Sequence, residues 1–189
     1  MKYIHILFLA LALFLSTNCH KKELNQEVER VINTINNDNV STFNNILIST
    51  RGRDEDSNSF IIASFTFFTQ QGEEIILLPH NKQTTLSYLY KQGYIDRIFR
   101  FSEVHGVNKD EAISFYIAYS QKVVNLFNQL DLPEVFNKPS LGSFTVFRIN
   151  EDFDLVYLKD SNQITSEHWK TFFSTNQSYR NNWYLKRRN

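Results

Sequence analysis

The chain holds one cysteine among its 189 residues, so no disulfide can close within it, and the usual use of cysteine in an exported protein is missing. Three prolines and five scattered glycines leave no room for a glycine-rich phosphate loop, and neither GxxxxGK nor GxGxxG occurs. Acidic and basic side chains balance at 20 each, so the chain lacks the basic excess of a general nucleic-acid binder, and no nucleic-acid partner is expected. No serine hydrolase elbow is present: Leu141-Gly142-Ser143-Phe144 comes nearest to GxSxG and lacks the second glycine. No apolar stretch reaches the roughly 20 residues that a bilayer-spanning helix needs.

What the chain does have is aromatic mass, with 17 phenylalanines and 9 tyrosines, and a distinctive start. Lys2 is followed by a nearly unbroken apolar run from Ile4 to Leu15, then Ser16-Thr17-Asn18 and Cys19. That order of charge, short apolar core and small polar stretch is the layout of a secretory signal. Leu15-Ser16-Thr17-Asn18-Cys19 resembles the lipobox of bacterial lipoproteins, although Ser16 and Asn18 stand where an aliphatic and a smaller residue are commoner. The resemblance covers the first twenty residues and implies cleavage before Cys19, diacylglycerol on its sulfur and residence in the cell envelope. It also implies palmitate or a similar chain as a membrane anchor. Two or more acyl chains, at about 0.8 kcal/mol per buried methylene, hold a protein stably on a bilayer. The residues after Cys19 lack the aspartate associated with inner-membrane retention, so the periplasmic side of the outer membrane is the expected location.

Removing residues 1–18 takes away Lys2 alone among the charged residues, and the remainder stays within one charge of neutrality. Residues 19–23 then form a tether, about 10 to 20 Å long at roughly 3.5 Å per extended residue. Residues 24–189 are expected to form one domain. Leu24, Val28, Val31 and Ile35 place an amphipathic helix from Lys22 to Asn37, and Val40, Phe43, Ile46 and Leu47 suggest a second, the two making a helical hairpin. Arg51 to Ser59 reads as a polar loop. Phe60–Thr69 and Glu74–Leu78 read as a β-hairpin turning at Gln70-Gln71-Gly72-Glu73 and closed by Pro79. Thr84 or Thr85 caps a helix carrying Leu86, Leu89, Tyr90 and Tyr94, resumed past Gly93 through Ile98 and Phe101. Asn108 and Glu111 stand at capping-box spacing before a long stripe of Ala112, Tyr116, Tyr119, Val123, Phe127 and Leu130, which Asp131-Leu132-Pro133 ends. Ser143–Ile149 and Phe153–Lys159 form a second hairpin around Asn150-Glu151-Asp152; Thr165–Phe173 reads as a helix and Asn182–Lys186 as a last strand. The sum is an α+β domain: a mostly antiparallel sheet from two hairpins plus a C-terminal strand, with helices on one face.

Candidate chemistry is sparse. His80, His105 and His168 are far apart in sequence, HExxH is absent, and no metal or other cofactor is expected. Glu167 and His168 are neighbours, but adjacent helical residues diverge. Asp54-Glu55-Asp56-Ser57-Asn58 looks like the start of a calcium loop and fails at the two diagnostic places, Ser59 for glycine and Phe65 for glutamate. Glu151, Asp152 and Asp154 cluster where a hairpin turn wants them. Two surfaces are candidates. Lys21 and Lys22 beside the lipid site, with Lys186, Arg187 and Arg188 at the far end, would add about 1 kcal/mol per basic residue against anionic headgroups if they face one way. Trp169, Phe172, Phe173, Trp183 and Tyr184 form an aromatic cluster suited to a core and, if exposed, to an interface.

These features point first to a noncatalytic lipoprotein whose domain binds a protein or other envelope component, with the membrane itself engaged through lipid on Cys19. An immunity protein or inhibitor that neutralises an envelope-acting toxin is the second reading. An enzyme whose site assembles from dispersed histidines and carboxylates is the third.

Overall fold

A computed structural model describes residues 22–35, 37–53, 59–69, 72–78 and 95–188. The leader, Cys19, Lys21, the Asp54–Asn58 acidic run, Gln70-Gln71, Pro79, His80 and the expected helix over residues 84–94 lie outside them. The chain divides into two compact units, Met1–Asn36 and Asn37–Asn189. In the first unit, helix α1 spans residues 22–34 and its apolar stripe, Val28, Val31 and Ile32, is the buried side. The second amphipathic helix expected through Leu47 does not form. Helix α2, Asn37–Val40, is a single turn that passes into a 3-10 turn over Ser41–Phe43. Asn45 then takes a left-handed φ of 61°, which stops helical propagation and turns the chain into strand β1.

The second unit is built on a seven-stranded sheet. Strands β1 (Ile46–Arg53), β2 (Ser59–Thr69) and β3 (Gly72–Leu77) form one meander, and β4 (Glu134–Phe136), β5 (Ser143–Arg148), β6 (Phe153–Asp160) and β7 (Trp183–Arg187) form another. The order is β3-β2-β1-β4-β5-β6-β7, and every pairing is antiparallel. The α+β class and the two hairpins, β2–β3 and β5–β6, are as the sequence indicates. β1 and β4 are the unexpected members. Arg51–Arg53 belongs to β1 and Ser59 opens β2, where a loop was expected. β1 and β4 lie in the middle of the sheet, and β4, with three residues, is too short to show a period-two pattern in the sequence.

Helices α3 (Ile95–Val104) and α4 (Ala112–Leu130) connect β3 to β4. They pack on the face that carries Ile46, Phe65 and Ile76, which the register places side by side across β1, β2 and β3. Phe101 of α3 meets Phe65 edge-on at 4.7 Å and Tyr116 of α4 at 5.3 Å. All three rings are buried, and each buried phenylalanine contributes about 1.5 to 3 kcal/mol. The capping box expected at Asn108 is not formed. Its side chain accepts from the Asp110 amide, two residues on, and a turn over residues 108–111 delays the helix to Ala112. The helix ends as expected: Asp131 adopts a left-handed φ of 49° before Leu132-Pro133.

Helix α5 (Glu167–Thr175) lies on the opposite face of the sheet. The residues it covers, Val146, Val156, Phe136 and Tyr184, are paired in register with one another and alternate with Phe147, Leu155 and Leu185 of the α3–α4 face. The single helical face expected from the sequence therefore holds for α3 and α4, while α5 covers only the β4–β7 half of the other side.

Candidate functional site

His105 and His168, the two candidate histidines among the described residues, do not converge. His105 follows the last turn of α3, and its ring lies among Phe101 (4.5 Å), Tyr119 (5.0 Å), Phe65 (5.1 Å) and Phe115 (5.4 Å). Its Nε2 is buried and has no hydrogen-bond partner among the described residues, and burial lowers its pKa, favouring the neutral imidazole. Tyr119 donates its hydroxyl to the Thr42 carbonyl at 2.9 Å, and burial raises its pKa. His168 is exposed on α5, across the sheet from His105. Glu167 pairs with Lys170 at 2.7 Å and forms no pair with His168. Among the described residues no group of three or more His, Cys, Asp or Glu side chains is arranged to hold a metal ion.

The charged residues are organised as a row. Ser49, Glu134, Arg148, Asp154 and Lys186 sit opposite one another across β1, β4, β5, β6 and β7, with alternating sign from Glu134 onward. Arg148 forms an ion pair with Glu134, and the Nε atoms of Arg148 and Arg188 stand 3.9 and 3.8 Å from Asp154 Oδ1. Those two distances are too long for hydrogen bonds, and Asp154 Oδ1 and Arg148 Nε are both buried without one. Burial raises the Asp154 pKa against the opposing pull of Arg188, Arg148 and Lys186.

This arrangement divides the expected basic patch. Lys186 lies on the α5 face, with its Nζ 5.6 Å from the centre of the Trp169 ring, and Arg188 is drawn to Asp154. Arg187, one residue between them on the strand, points to the other face. Lys22 is exposed on α1, and Lys21 lies outside the described residues. A shallow cleft of about 520 Å³ between α5 and β7 is lined by Glu167, His168, Phe172, Lys186 and Arg187, and it is broadly open to solvent.

The aromatic cluster is core. Trp169 packs on Phe144 at 4.5 Å, and Phe173 packs on Tyr184 at 5.0 Å. Trp183 lies on the other face against Tyr157 and Phe147. Both tryptophans are buried and Tyr184 is half-buried, so the interface suggested for Trp169, Trp183 and Tyr184 gives way to packing, of Trp169 and Tyr184 between the sheet and α5 and of Trp183 on the opposite face.

An unassigned surface lies at the other end of the sheet. On β2 and β3, the face not covered by α3 and α4 carries Ile62, Phe68, Ile75 and Leu77, with exposures of 39, 54, 53 and 53%. Ser64 and Thr66, both buried, sit between them, opposite Leu77 and Ile75. The Leu78 amide donates to the Ala63 carbonyl, so the even-numbered residues of β3 bond to β2 and the main-chain groups of Glu73, Ile75 and Leu77 point away from the sheet. Tyr116 of α4 donates its hydroxyl to the Leu77 carbonyl from that outer side. The sequence held a signal for this surface in Ile61-Ile62, Phe67-Phe68 and Ile75-Ile76-Leu77, where apolar residues occupy both phases of a period-two strand.

Comparison with protein families, curated proteins and solved structures gives no match to this chain. Among the described residues no helix is long and apolar enough to cross a membrane.

Proposed function

We propose that the chain is a lipid-anchored protein of the bacterial cell envelope whose folded domain is a noncatalytic binding module for an envelope protein. The anchor is lipid on Cys19, and the expected site is the periplasmic side of the outer membrane. The anchor rests on the signal-like residues 1–18 and the lipobox-like Ser16-Thr17-Asn18-Cys19. The binding role rests on one observation, the exposed apolar face of β2 and β3. A surface of large apolar side chains beside polar residues is the kind that marks association.

The test uses protein purified from its native envelope. Mass spectrometry of the N-terminal peptide is expected to show Cys19 acylated at a new N-terminus, and an unmodified Cys19 removes the anchor. Chemical cross-linking is expected to yield a defined adduct that is lost when Phe68 and Leu77 are both changed to serine. An adduct pattern indifferent to those two substitutions removes the binding role of this face.

A further inference from the structure

The two ends of the sheet are protected unequally. Strand β7 is short, carries Lys186 and Arg187, and has both main-chain groups of Trp183 bonded to its own preceding turn, from Tyr179 and to Arg180. Charge and self-pairing of this kind keep an edge strand from recruiting another chain. Strand β3 is of similar length and carries Glu73 and Glu74, and it differs in having no such self-pairing among the described residues. Its outward-facing residues are Glu73, Ile75 and Leu77, and the amides of all three and the carbonyls of Glu73 and Ile75 have no partner among the described residues. Their side chains stand on the face away from α3 and α4, where Ile75 and Leu77 are more than half exposed. Tyr116 marks where this edge ends by occupying the Leu77 carbonyl.

We propose that the free edge of β3 takes up an extended segment of another protein as an added antiparallel strand, with apolar side chains opposite Leu77 and Ile75 and a basic one opposite Glu73. The proposal rests on the binding role assigned above and names the class of partner. Unpaired main-chain donors and acceptors along a strand are satisfied by another strand, which also extends the apolar face. The exposed Glu73 carboxylate selects the charge at the third position. A second copy of this chain fits less well. Full overlap of two antiparallel β3 strands sets Ile75 against Ile75 and each Glu73 against Leu77 of the other copy, and a one-step shift sets Glu74 against Glu74. Neither register offers Glu73 a cation.

The probe is a fluorescein-labelled, end-capped peptide Thr-Val-Thr-Val-Thr-Lys-Thr, titrated by anisotropy with the full chain in detergent. In the proposed register the valines oppose Leu77 and Ile75 and the lysine opposes Glu73. Saturable binding is expected, and N-methylation of the second valine, which removes the donor to the Ile75 carbonyl, is expected to weaken it about tenfold or more. Ile75→Pro removes the matching outward donor and leaves the bonds to β2 intact, so it is expected to weaken binding similarly. Glu73→Lys is expected to reverse the preference between this peptide and its Lys-to-Glu analogue. Failure of the parent peptide to bind, or equal binding of the N-methylated one, overturns the proposal without using any protein variant. A dimer of the chain that Ile75→Pro converts to monomer overturns it in favour of self-pairing. If the peptide fails while the envelope adduct still depends on Phe68 and Leu77, strand addition falls and the binding role stands. If the adduct is indifferent to them while the peptide binds as described, the envelope reading falls instead.

Discussion

Gly142 stands where the sequence came nearest to a catalytic serine motif, and its role is steric. It has a φ of +135°, and a Cβ there would lie 2.7 Å from Ile164 Cα and 2.8 Å from the Gln163 carbonyl oxygen. Gly142→Ala is expected to cost about 2 to 4 kcal/mol, read from urea unfolding, because backbone strain and a main-chain clash add. Asp154 carries a different expectation. Its pKa is raised in the folded state, so the native protein binds the Asp154 proton more tightly than the unfolded chain, and this residue's contribution declines as pH rises from 3.8 through the folded value. Asp154→Asn is therefore expected to leave the thermal midpoint at pH 7 unchanged or higher, and a clear fall would show that the arginines beside it outweigh its burial. For His105 the sign is opposite. Its pKa is lowered, so the unfolded chain binds the proton more readily and stability is lost as pH falls below 6.5. His105→Phe is expected to flatten the decline in thermal midpoint between pH 7.5 and 5.5.

Among the elements, β4 is only three residues long and yet joins the two meanders. Asn137, just after it, supplies what so short a strand cannot. Its Oδ1 accepts from the Asn45 amide at 2.8 Å, and its Nδ2 donates to the Phe144 carbonyl at 2.7 Å and to Thr145 Oγ1 at 3.2 Å. One buried amide thereby ties the start of β1 to β5. Asn137→Ala leaves buried main-chain groups unsatisfied and is expected to cost about 2 to 4 kcal/mol in chemical unfolding, and Asn137→Asp, which sets a buried carboxylate oxygen against the Phe144 carbonyl, is expected to cost at least as much. Helix α5 was legible from its spacing, but the face it covers was not, since that depends on the register of Val146, Val156 and Tyr184 across three strands.

For the molecule as a whole, the exposed face of β2 and β3 contributes surface and little stability. Phe68→Ser with Leu77→Ser is expected to change the unfolding free energy by about 1 kcal/mol or less and to reduce binding of the dye 1-anilinonaphthalene-8-sulfonate. A large loss of stability would mean that these side chains are structural. The two ends of the sheet thus differ: α5 and a self-paired edge close one, and the other presents exposed apolar side chains and main-chain groups without partners among the described residues.

The sequence by itself determined the α+β class, the hairpins β2–β3 and β5–β6, the long helix α4 and its stop at Asp131, because each depends on local periodicity and turn chemistry. It also supplied the lipobox-like Cys19 as an expectation that lies outside the described residues. Tertiary structure decided the rest. Ile46-Leu47-Ile48 and Glu134-Val135-Phe136 become central strands only because neighbours pair with both their edges. Trp169 and Trp183 become core, on opposite faces of the sheet, only because Phe144 and the α5 rings meet the first and Phe147 and Tyr157 the second. Ile75 and Leu77 stay exposed for the complementary reason: α5 covers the far half of the sheet, and sequence spacing within one strand does not encode which strand ends at the edge.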